Sequence, residues 1–335
     1  MAFRNSCPGQ GERHGRRTIA LTVAGVLLAA LWCGPVSAEY PDHPLRAIVP
    51  FSAGGSNDTM ARLISPMLAK ALGQQVIVEN RPGADGRIGI EALARAAPDG
   101  YTILFSAGAV ALIPALRRTV PYDPVRDLQP VAELGTAPYV IAVHPQVPAK
   151  NVAELIRVAK QNPRRLNGAS AGNSTFMSLA LFQLQTGTRV VNIPYKGTGD
   201  AVLALARGEA DFAIMDATAF VSQFSSGRVR LLAVAGDRRA PALPDVPTTK
   251  EAGLDYKAGG VFSVFTTGGK TPPDIVRRLN AEISRIVEAP ETSKRFAALG
   301  INPSTKTLEE SMRWHLAELA KWKDVVARAK IPLEN

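Results

Sequence analysis

The chain has 335 residues, of which 46% are hydrophobic, and it carries 39 lysines and arginines against 29 aspartates and glutamates. This length and apolar content exclude a disordered chain and a small disulfide-stapled scaffold, because so long a chain can bury a large core and form two domains. The net positive charge predicts attraction of anionic solutes but not nucleic-acid binding, because the basic residues are dispersed and no aromatic residues alternate with them.

The first 38 residues have the pattern of a secretion signal. Four arginines precede an apolar run at 19–32, and Val36-Ser37-Ala38 resembles a cleavage site. The apolar run is shorter than the ~20 residues that a membrane-spanning helix needs. We therefore expect cleavage after Ala38 and a periplasmic protein exported by the Sec route, with Arg16-Arg17 leaving a twin-arginine signal as the alternative.

The only two cysteines, Cys7 and Cys33, both lie in this signal. Lipidation at Cys33 is the weaker interpretation, because the bulky Trp32 precedes it. The processed chain is therefore expected to contain no disulfide, no thiolate nucleophile and no cysteine-bound metal.

From Leu45 onward, short apolar runs alternate with segments of helical periodicity. This pattern predicts an α/β fold with a mainly parallel sheet covered by helices. The predicted strands are, in chain order, 45–51, 75–79, 101–106, 139–143, 165–169, 190–194, 212–215, 231–235 and 260–266.

Three helix starts carry recognisable signals. Asn151 and Thr307 each precede a glutamate by three residues, which is the spacing of a capping box. Pro272-Pro273-Asp274 begins a third helix, which is predicted to run to residue 287.

Two extended segments, 139–144 and 259–267, each follow a proline-rich stretch and predict crossings between two lobes. The first lobe then comprises 39–140 plus 262–335, and the second comprises 141–261.

The sharpest candidate for ligand binding is a strand that ends in a glycine-rich turn before a helix. Its residues are Phe51, Ser52, Ala53, Gly54, Gly55, Ser56, Asn57 and Asp58. Glycines let a ligand approach the backbone, and the N–H groups of a first helical turn favour an anion. The spacing matches neither a P-loop nor a dinucleotide fingerprint. The purely structural alternative is a tight turn at Gly54-Gly55 with Asp58 stabilising the start of the helix.

A similar turn follows the predicted strand at 165–169 and precedes an apolar helix at 176–184. Its candidate residues are Ser170, Gly172, Asn173, Ser174, Thr175 and Phe176. Helix capping by Ser174 or Asn173 is the alternative interpretation. Other candidates follow predicted strands at their carboxyl ends, where open α/β sheets bind ligands, and these are Ser106, Ala107, Tyr195, Lys196, Gly197 and Asp216. Lys196 suits a carboxylate and Asp216 a ligand amine or hydroxyl, although each is also an ordinary surface residue type.

An enzyme is disfavoured by what the processed sequence lacks. His43, His144 and His315 are its only histidines, and none lies near a Gly-x-Ser-x-Gly elbow. No histidine or carboxylate cluster has the spacing of metal ligands. We expect no catalytic residue, no metal and no cofactor.

Several short motifs mark the processed chain from end to end. They are Pro50-Phe51, Gly54-Gly55, Asp58-Thr59-Met60-Ala61-Arg62, Asn80-Arg81-Pro82-Gly83-Ala84, Ala97-Pro98-Asp99-Gly100-Tyr101-Thr102, Pro194-Tyr195-Lys196-Gly197, Asp216, Pro244-Asp245-Val246-Pro247-Thr248 and Glu251-Ala252-Gly253. With them the sequence resembles the extracytoplasmic solute-binding proteins of tripartite tricarboxylate transporters, the Bug family.

The resemblance implies a periplasmic-binding-protein fold of type II, with two α/β lobes joined by two crossing strands. It implies a cleft that closes on a small organic acid, gripped by the loops at 51–58 and 170–175 through backbone groups and water, and delivery to a two-component membrane permease. The sequence departs from the family at Ala53, Asn173 and Phe176, where proline, glycine and histidine are common. Phe176 in place of histidine motivates the hypothesis of an apolar, aromatic ligand tail.

The sequence thus predicts a monomeric receptor for a small mono- or dicarboxylate. A ligand sensor that presents its closed form to a membrane signalling partner is the alternative, since it needs the same clamp. An enzyme acting on a carboxylate is the third hypothesis, and turnover would distinguish it.

Overall fold

Residues 43–335 fold around a mixed β-sheet. The computed structural model describes residues 1–2, 40–240 and 242–335, so the predicted signal lies outside the described residues except for Met1 and Ala2. Residues 1–42 and 43–335 are separate compact units, and the elements given below belong to the second.

Strands and helices alternate along most of this unit. The strands are β1 (Leu45–Val49), β2 (Val76–Asn80), β3 (Thr102–Ala107), β4 (Leu128–Val143), β5 (Asn167–Ala171), β6 (Val191–Tyr195), β7 (Phe212–Asp216), β8 (Arg230–Val234), β9 (Gly259–Thr267) and β10 (Asn302–Pro303). The helices are α1 (Ser56–Leu72), α2 (Arg87–Ala94), α3 (Ala109–Leu116), α4 (Val152–Gln161), α5 (Gly172–Thr186), α6 (Thr198–Ala206), α7 (Ala217–Ser225), α8 (Pro273–Glu288), α9 (Pro290–Ala298) and α10 (Leu308–Ala329).

The sheet contains two groups of parallel strands separated by antiparallel ones. Its order is β2-β1-β3-β9-β4-β7-β5-β6, with β8 and β10 also paired to β4. β1 is parallel to β2 and β3, and β5 is parallel to β6 and β7. β4 and β9 run antiparallel to their neighbours. The prediction of a mainly parallel sheet therefore holds within each group and is wrong for β4 and β9.

Strand β4 connects the two groups because its two halves have different partners. Residues 128–138 pair with β9, whereas residues 139–143 pair with β7 on one side and β8 on the other. The prediction included only the second half of the strand, since Pro130, Gly135 and Pro138 in the first half resemble a loop. The register with β9 shifts near Pro130 and again near Gly135, and such irregularities are where a sheet accommodates proline and glycine.

The predicted helix starts are confirmed where the capping chemistry is explicit. The Asn151 side chain accepts from the backbone N–H of Glu154 at 2.9 Å. Thr307 and Glu310 form a complete capping box at the start of α10. The third predicted helix is observed as α8, which ends one residue beyond the predicted boundary.

Helix α10 packs between helices that follow different groups of strands. One apolar cluster contains Leu112 from α3, Met177 from α5 and Trp322 from α10, and each of these side chains is at most 6% exposed. α3 follows β3 and α5 follows β5, so α10 joins elements from both halves of the sheet. This packing brings one face of α10 toward the carboxyl ends of the strands.

Two absences apply to the described residues alone. Within 40–240 and 242–335, no helix combines the length and the apolar character that crossing a bilayer requires. The same residues contain no group of three or more histidine, cysteine, aspartate or glutamate side chains that would hold a metal ion.

Candidate ligand cleft

The loop between β1 and α1 is held in shape by a buried carboxylate. Asp58 is 3% exposed, and it accepts from the backbone N–H of Gly54 at 2.9 Å and from Arg62 Nε at 2.9 Å. Asn80 Nδ2 donates both to Asp58 at 2.9 Å and to the carbonyl oxygen of Phe51 at 3.0 Å. The Arg62 bond, then that of Gly54, lowers the pKa of Asp58 to about 2. Asp58 is thus a structural anchor that leaves the tip of the loop exposed.

The glycines of this loop serve its geometry. Gly54 has φ +82, a left-handed conformation that favours glycine. Gly55 precedes α1 with extended backbone, at φ −76 and ψ 169, and no side chain caps the helix. The first N–H groups of α1 are therefore free of a capping side chain, as the sequence pattern predicted.

The second candidate loop is shorter than predicted, because α5 begins at Gly172. The alternative interpretation, that Asn173 or Ser174 caps this helix, is wrong, since both lie inside its first turn. The Thr175 hydroxyl oxygen instead accepts a hydrogen bond from the backbone N–H of Ala171 at 2.6 Å, and this bond stabilises the start of α5. Asn173 Nδ2 donates to Asp85 Oδ2 at 3.2 Å, which ties the start of α5 to the turn before α2.

A cavity of about 160 Å³, called here the inner cavity, lies where these loops meet. The β1–α1 loop contributes Phe51, Ser56 and Asn57, and the end of β3 contributes Ala107 and Gly108. The remaining lining residues come from α3, β4, α5, β7, β9 and α10, and they are Leu112, Ala137, Tyr139, Ser174, Ser178, Asp216, Gly259, Gly260, Val261, Phe262, Trp314, Glu318 and Trp322.

A larger space of about 560 Å³, the outer cavity, adjoins the inner one. Ser56, Ala137, Asp216 and Phe262 line both. The outer cavity adds the first residues of α6 and α7 and the turn at 298–301. The two cavities together are called the cleft below.

The structure brings six of the predicted site residues to the inner cavity. They are Phe51, Ser56, Asn57, Ala107, Ser174 and Asp216. Of the others, Ser52, Ala53, Gly54 and Gly55 form the exposed rim of the first loop, while Ser106 and Ser170 are buried in strands. Gly172, Asn173, Thr175 and Phe176 belong to the first turns of α5, and Tyr195, Lys196 and Gly197 lie between β6 and α6 without lining the cleft.

Phe176 and Lys196 are not among the residues that line either cavity. Phe176 is partly buried against the apolar cluster of α3, α5 and α10. Lys196 is exposed at the end of β6.

Sequence reasoning missed the wall that α10 contributes. Trp314, Glu318 and Trp322 recur every four residues and so share one face of this helix. That spacing was visible, but amphipathic helices use the same spacing to bury a core. Tyr139 and Phe262 were also missed, although both belong to the predicted crossing segments.

The electrostatics of the cleft depend on helix termini. First-turn residues of α1, α5, α6 and α7 line it, and Gly108 caps α3 beside them. No lysine or arginine is among the described residues that line either cavity. The groups in the cleft that suit an anion are therefore the N–H groups and the positive dipole ends of these helices.

Three polar side chains complete the inner cavity. Asn57 is 8% exposed, and its Oδ1 has no hydrogen-bond partner among the described residues. Tyr139 hydrogen-bonds Ser174, and burial raises the pKa of the Tyr139 hydroxyl. Burial also raises the pKa of Asp216, which lies opposite Tyr139 in the pairing of β4 with β7.

The chemistry available in the cleft is that of a binding site. Hydroxyls, helix N-termini and the two acidic side chains Asp216 and Glu318 line it, and none of the described lining residues is a histidine. The described walls therefore present no serine–histidine pair, which is the arrangement that activates a serine nucleophile.

Comparison with known proteins agrees with this picture. A family model described as "Tripartite tricarboxylate transporter family receptor" matches residues 60–331. Protein BugT of Bordetella pertussis is 36% identical over 92% of this chain and 97% of its own length. Among solved structures, that of R. palustris Rpa4515 with adipate is 31% identical with a TM-score of 0.73, covering 88% of this chain and all 100% of its own.

A further solved structure, MatC (Rpa3494) from Rhodopseudomonas palustris with bound malate, is 32% identical with a TM-score of 0.69. The match covers 86% of this chain and 100% of MatC. These likenesses confirm the predicted periplasmic-binding-protein fold. The chain belongs to the tripartite tricarboxylate transporter receptor family, whose members are solute-binding receptors and not enzymes.

Proposed function

We propose that this chain is a periplasmic receptor that captures a small carboxylate by closure of two lobes and delivers it to a two-component membrane permease. The observation that carries the proposal is the convergence of helix N-termini on a cleft whose described lining includes no basic side chain. Such a cleft attracts an anion and holds it by short, directional N–H bonds. The adipate and malate bound by two structural relatives support a carboxylate as that anion.

The first N–H groups of α1 and α5 are the donors assigned to the ligand carboxylate. Ser56 and Asn57 open α1, Ser174 lies in the first turn of α5, and all three line the inner cavity. A hydrogen bond to a charged group contributes about 1.5 to 3 kcal/mol. A few such bonds account for tight capture without a cationic side chain.

Lobe closure is assigned to the two strands that cross the middle of the sheet. We propose lobes of 39–140 plus 262–335 and of 141–261, joined through strands β4 and β9. The change of partners along β4 supports the boundary. Hinge motion at a few strand residues would bring the α1 and α5 loops together.

Export and delivery complete the proposal. The pattern of residues 1–38 supports export to the periplasm with cleavage after Ala38. Membership of the receptor family supports a permease partner, and the receptor is expected to diffuse to it as a monomer.

The direct test is a binding screen of the full chain, expressed with its own leader, purified from the periplasm and refolded to remove co-purified ligand. Thermal unfolding is followed with aliphatic and aromatic carboxylates and with the matching amides. A ligand at about 100 times its Kd adds about 2.7 kcal/mol. We expect acids to raise the Tm by several degrees and amides to leave it unchanged. Equal shifts with acids and amides would refute the anion clamp.

A proline substitution tests the backbone donor itself. Ser56 is the first residue of α1 and follows extended backbone at Gly55, so Ser56→Pro removes one N–H at a position where helices tolerate proline. We expect about 10-fold or weaker carboxylate binding. Ser56→Ala isolates the hydroxyl, and Leu308→Pro makes the same change at the first residue of α10, away from the cleft. If Leu308→Pro weakens binding as much, the Ser56 N–H is not a ligand donor.

A further inference from the structure

The walls of the inner cavity are unusually rich in aromatic rings. Phe51, Tyr139, Phe262, Trp314 and Trp322 all line it, and they come from the first loop, both crossing strands and α10. Aromatic residues make up only 6% of the chain. Five of them around one small cavity form a surface suited to stacking and edge contacts with a flat ring.

The size of the inner cavity fits one ring. Its volume is about 160 Å³, and an apolar protein cavity of about 150 Å³ accommodates benzene. The Tyr139 hydroxyl and the first turn of α1 provide polar groups at the same cavity. A carboxylate attached directly to a ring therefore satisfies both the apolar walls and the helix N-terminus.

The inner cavity offers no counter-charge for a second carboxylate. Its two acidic side chains are Asp216 and Glu318, and neither is a cation that could pair with a carboxylate. Glu318 is already engaged, because its Oε2 accepts from Trp322 Nε1 at 2.9 Å and its Oε1 from Lys321 Nζ.

Among the described residues, three cationic side chains line a neighbouring cavity of about 280 Å³ and not the inner one. Trp314, Glu318 and Trp322 line both of these spaces. Lys257 and Lys321, on the neighbouring side, are paired with Asp237 and Glu318, which leaves Arg238 as the unpaired cation there among the described lining residues.

We infer that the ligand is an aromatic monocarboxylate, seated with its ring against Trp314, and that Trp314 sets the preference for a flat ring. This inference rests on the proposed function and narrows its substrate class. Trp314 is chosen over Trp322 because Trp322 is only 6% exposed. Trp314 also packs against an apolar cluster, but it is only partly buried and lines both cavities.

The test compares acids that differ in one property at a time. Benzoate and cyclohexanecarboxylate share carbon number and charge but differ in flatness, and terephthalate adds a second carboxylate to benzoate. Calorimetry on the refolded full-chain protein should give benzoate about 3- to 10-fold tighter binding than cyclohexanecarboxylate. Terephthalate should bind at least about 10-fold more weakly than benzoate, because no lysine or arginine among the described lining residues can pair with its second charge.

Two variants at Trp314 separate ring recognition from folding. Trp314→Leu should remove the preference for benzoate while changing the affinity for cyclohexanecarboxylate by less than about 2-fold, and Trp314→Phe should retain the preference. The melting temperatures of both variants are measured as well, to check that each variant folds. An unchanged benzoate preference in Trp314→Leu overturns the role of Trp314.

The outcomes also separate this inference from the proposed function. If no acid binds, the carboxylate receptor itself is refuted. If terephthalate or adipate binds more tightly than benzoate, the receptor stands and the aromatic monocarboxylate is wrong. Loss of terephthalate binding in Arg238→Ala would then place the second carboxylate in the neighbouring cavity.

Discussion

At the scale of single residues, Asp58 shows how a motif residue can serve a site without touching the ligand. Its carboxylate joins Gly54, Arg62 and Asn80. Asp58→Asn should lower the free energy of unfolding by about 2 kcal/mol. The folded pKa of Asp58 is about 2 against an ordinary 3.8, so this stabilisation is complete above about pH 4 and is lost as the pH falls toward 2.

The measurement is urea unfolding at pH 7 and at pH 3. Asp324→Asn is the matched control, because it breaks the same kind of aspartate–arginine pair one helical turn apart, but on the surface with Asp324 57% exposed. The control should cost less than about 0.5 kcal/mol at both pH values. Equal losses in the two variants would mean that the loop does not depend on Asp58.

His315 is a second residue whose effect depends on pH. It is fully buried, and its Nε2 lies 2.7 Å from the carbonyl oxygen of Pro124. Burial lowers its pKa below the ordinary 6.5, while the bond to Pro124 acts in the opposite direction. His315 therefore binds a proton more readily in the unfolded chain than in the folded one. The free energy of unfolding should fall as the pH drops below about 6.5.

Urea unfolding from pH 7.5 to 5.5 measures this effect. The loss from His315 is at most about 1.4 kcal/mol per pH unit. His315→Gln should show a flatter pH dependence than the parent. Parallel curves for the parent and His315→Gln would contradict the prediction.

At the scale of elements, the crossing strand β9 depends on a glycine at one position. Gly259 has φ +153, and a β-carbon there would lie 2.4 Å from the carbonyl oxygen of Ala137 on β4. At the adjacent Gly260 the nearest atom would be the Ala107 β-carbon at 3.7 Å. Gly259→Ala should therefore cost about 2 kcal/mol or more in urea unfolding, and Gly260→Ala less than about 1 kcal/mol. Similar losses of unfolding free energy in the two variants would show that β4 and β9 can move apart to accommodate a β-carbon at residue 259.

The elements that the sequence predicted are those with local signals. α10 was predictable from Thr307 and Glu310, and the start of α1 from the glycines before Ser56. The first half of β4 was not, because Pro130 and Pro138 are ordinary loop signals and only their pairing with β9 makes them extended. The early start of α5 at Gly172 was missed because Asn173 and Ser174 resemble helix caps in the sequence. In the structure the Thr175 side chain makes the stabilising hydrogen bond instead.

At the scale of the whole molecule, an exposed hydrogen bond joins side chains of the two proposed lobes. Asn173 Nδ2 donates to Asp85 Oδ2, and Asp85 has φ +58 while its neighbour Ala84 has φ +47. Asp85→Gly should relieve backbone strain and raise the Tm, yet weaken carboxylate binding by about 2- to 5-fold through loss of the bond. Ala84→Gly should also raise the Tm but leave binding unchanged.

Calorimetry and thermal unfolding on both variants separate these effects. If Asp85→Gly and Ala84→Gly bind carboxylate equally well, the Asn173 bond does not stabilise the closed receptor. The same result would leave the lobe boundaries without this support.

The composition of the cleft was predictable only in part. Phe51, Ser56, Asn57 and Ser174 follow strands and open helices, so the rule for ligands at strand ends points to them. Trp314 lies about 260 residues further along the chain than Phe51, in the second turn of a late helix. Only the packing of α10 between α3 and α5 brings it to the cavity, and no local pattern encodes that long-range contact.

The described walls of the cleft carry no basic side chain, and this determines how the ligand affinity depends on ionic strength. Dissolved salt screens the attraction between exposed charged groups that are more than about 10 Å apart at 0.1 M. A closed cleft excludes salt ions, so short N–H bonds to a carboxylate inside it are screened much less. Affinity should therefore change less than about 2-fold between about 20 mM and about 0.5 M sodium chloride. A receptor of this design needs no change of sequence to collect its ligand in media of very different salinity.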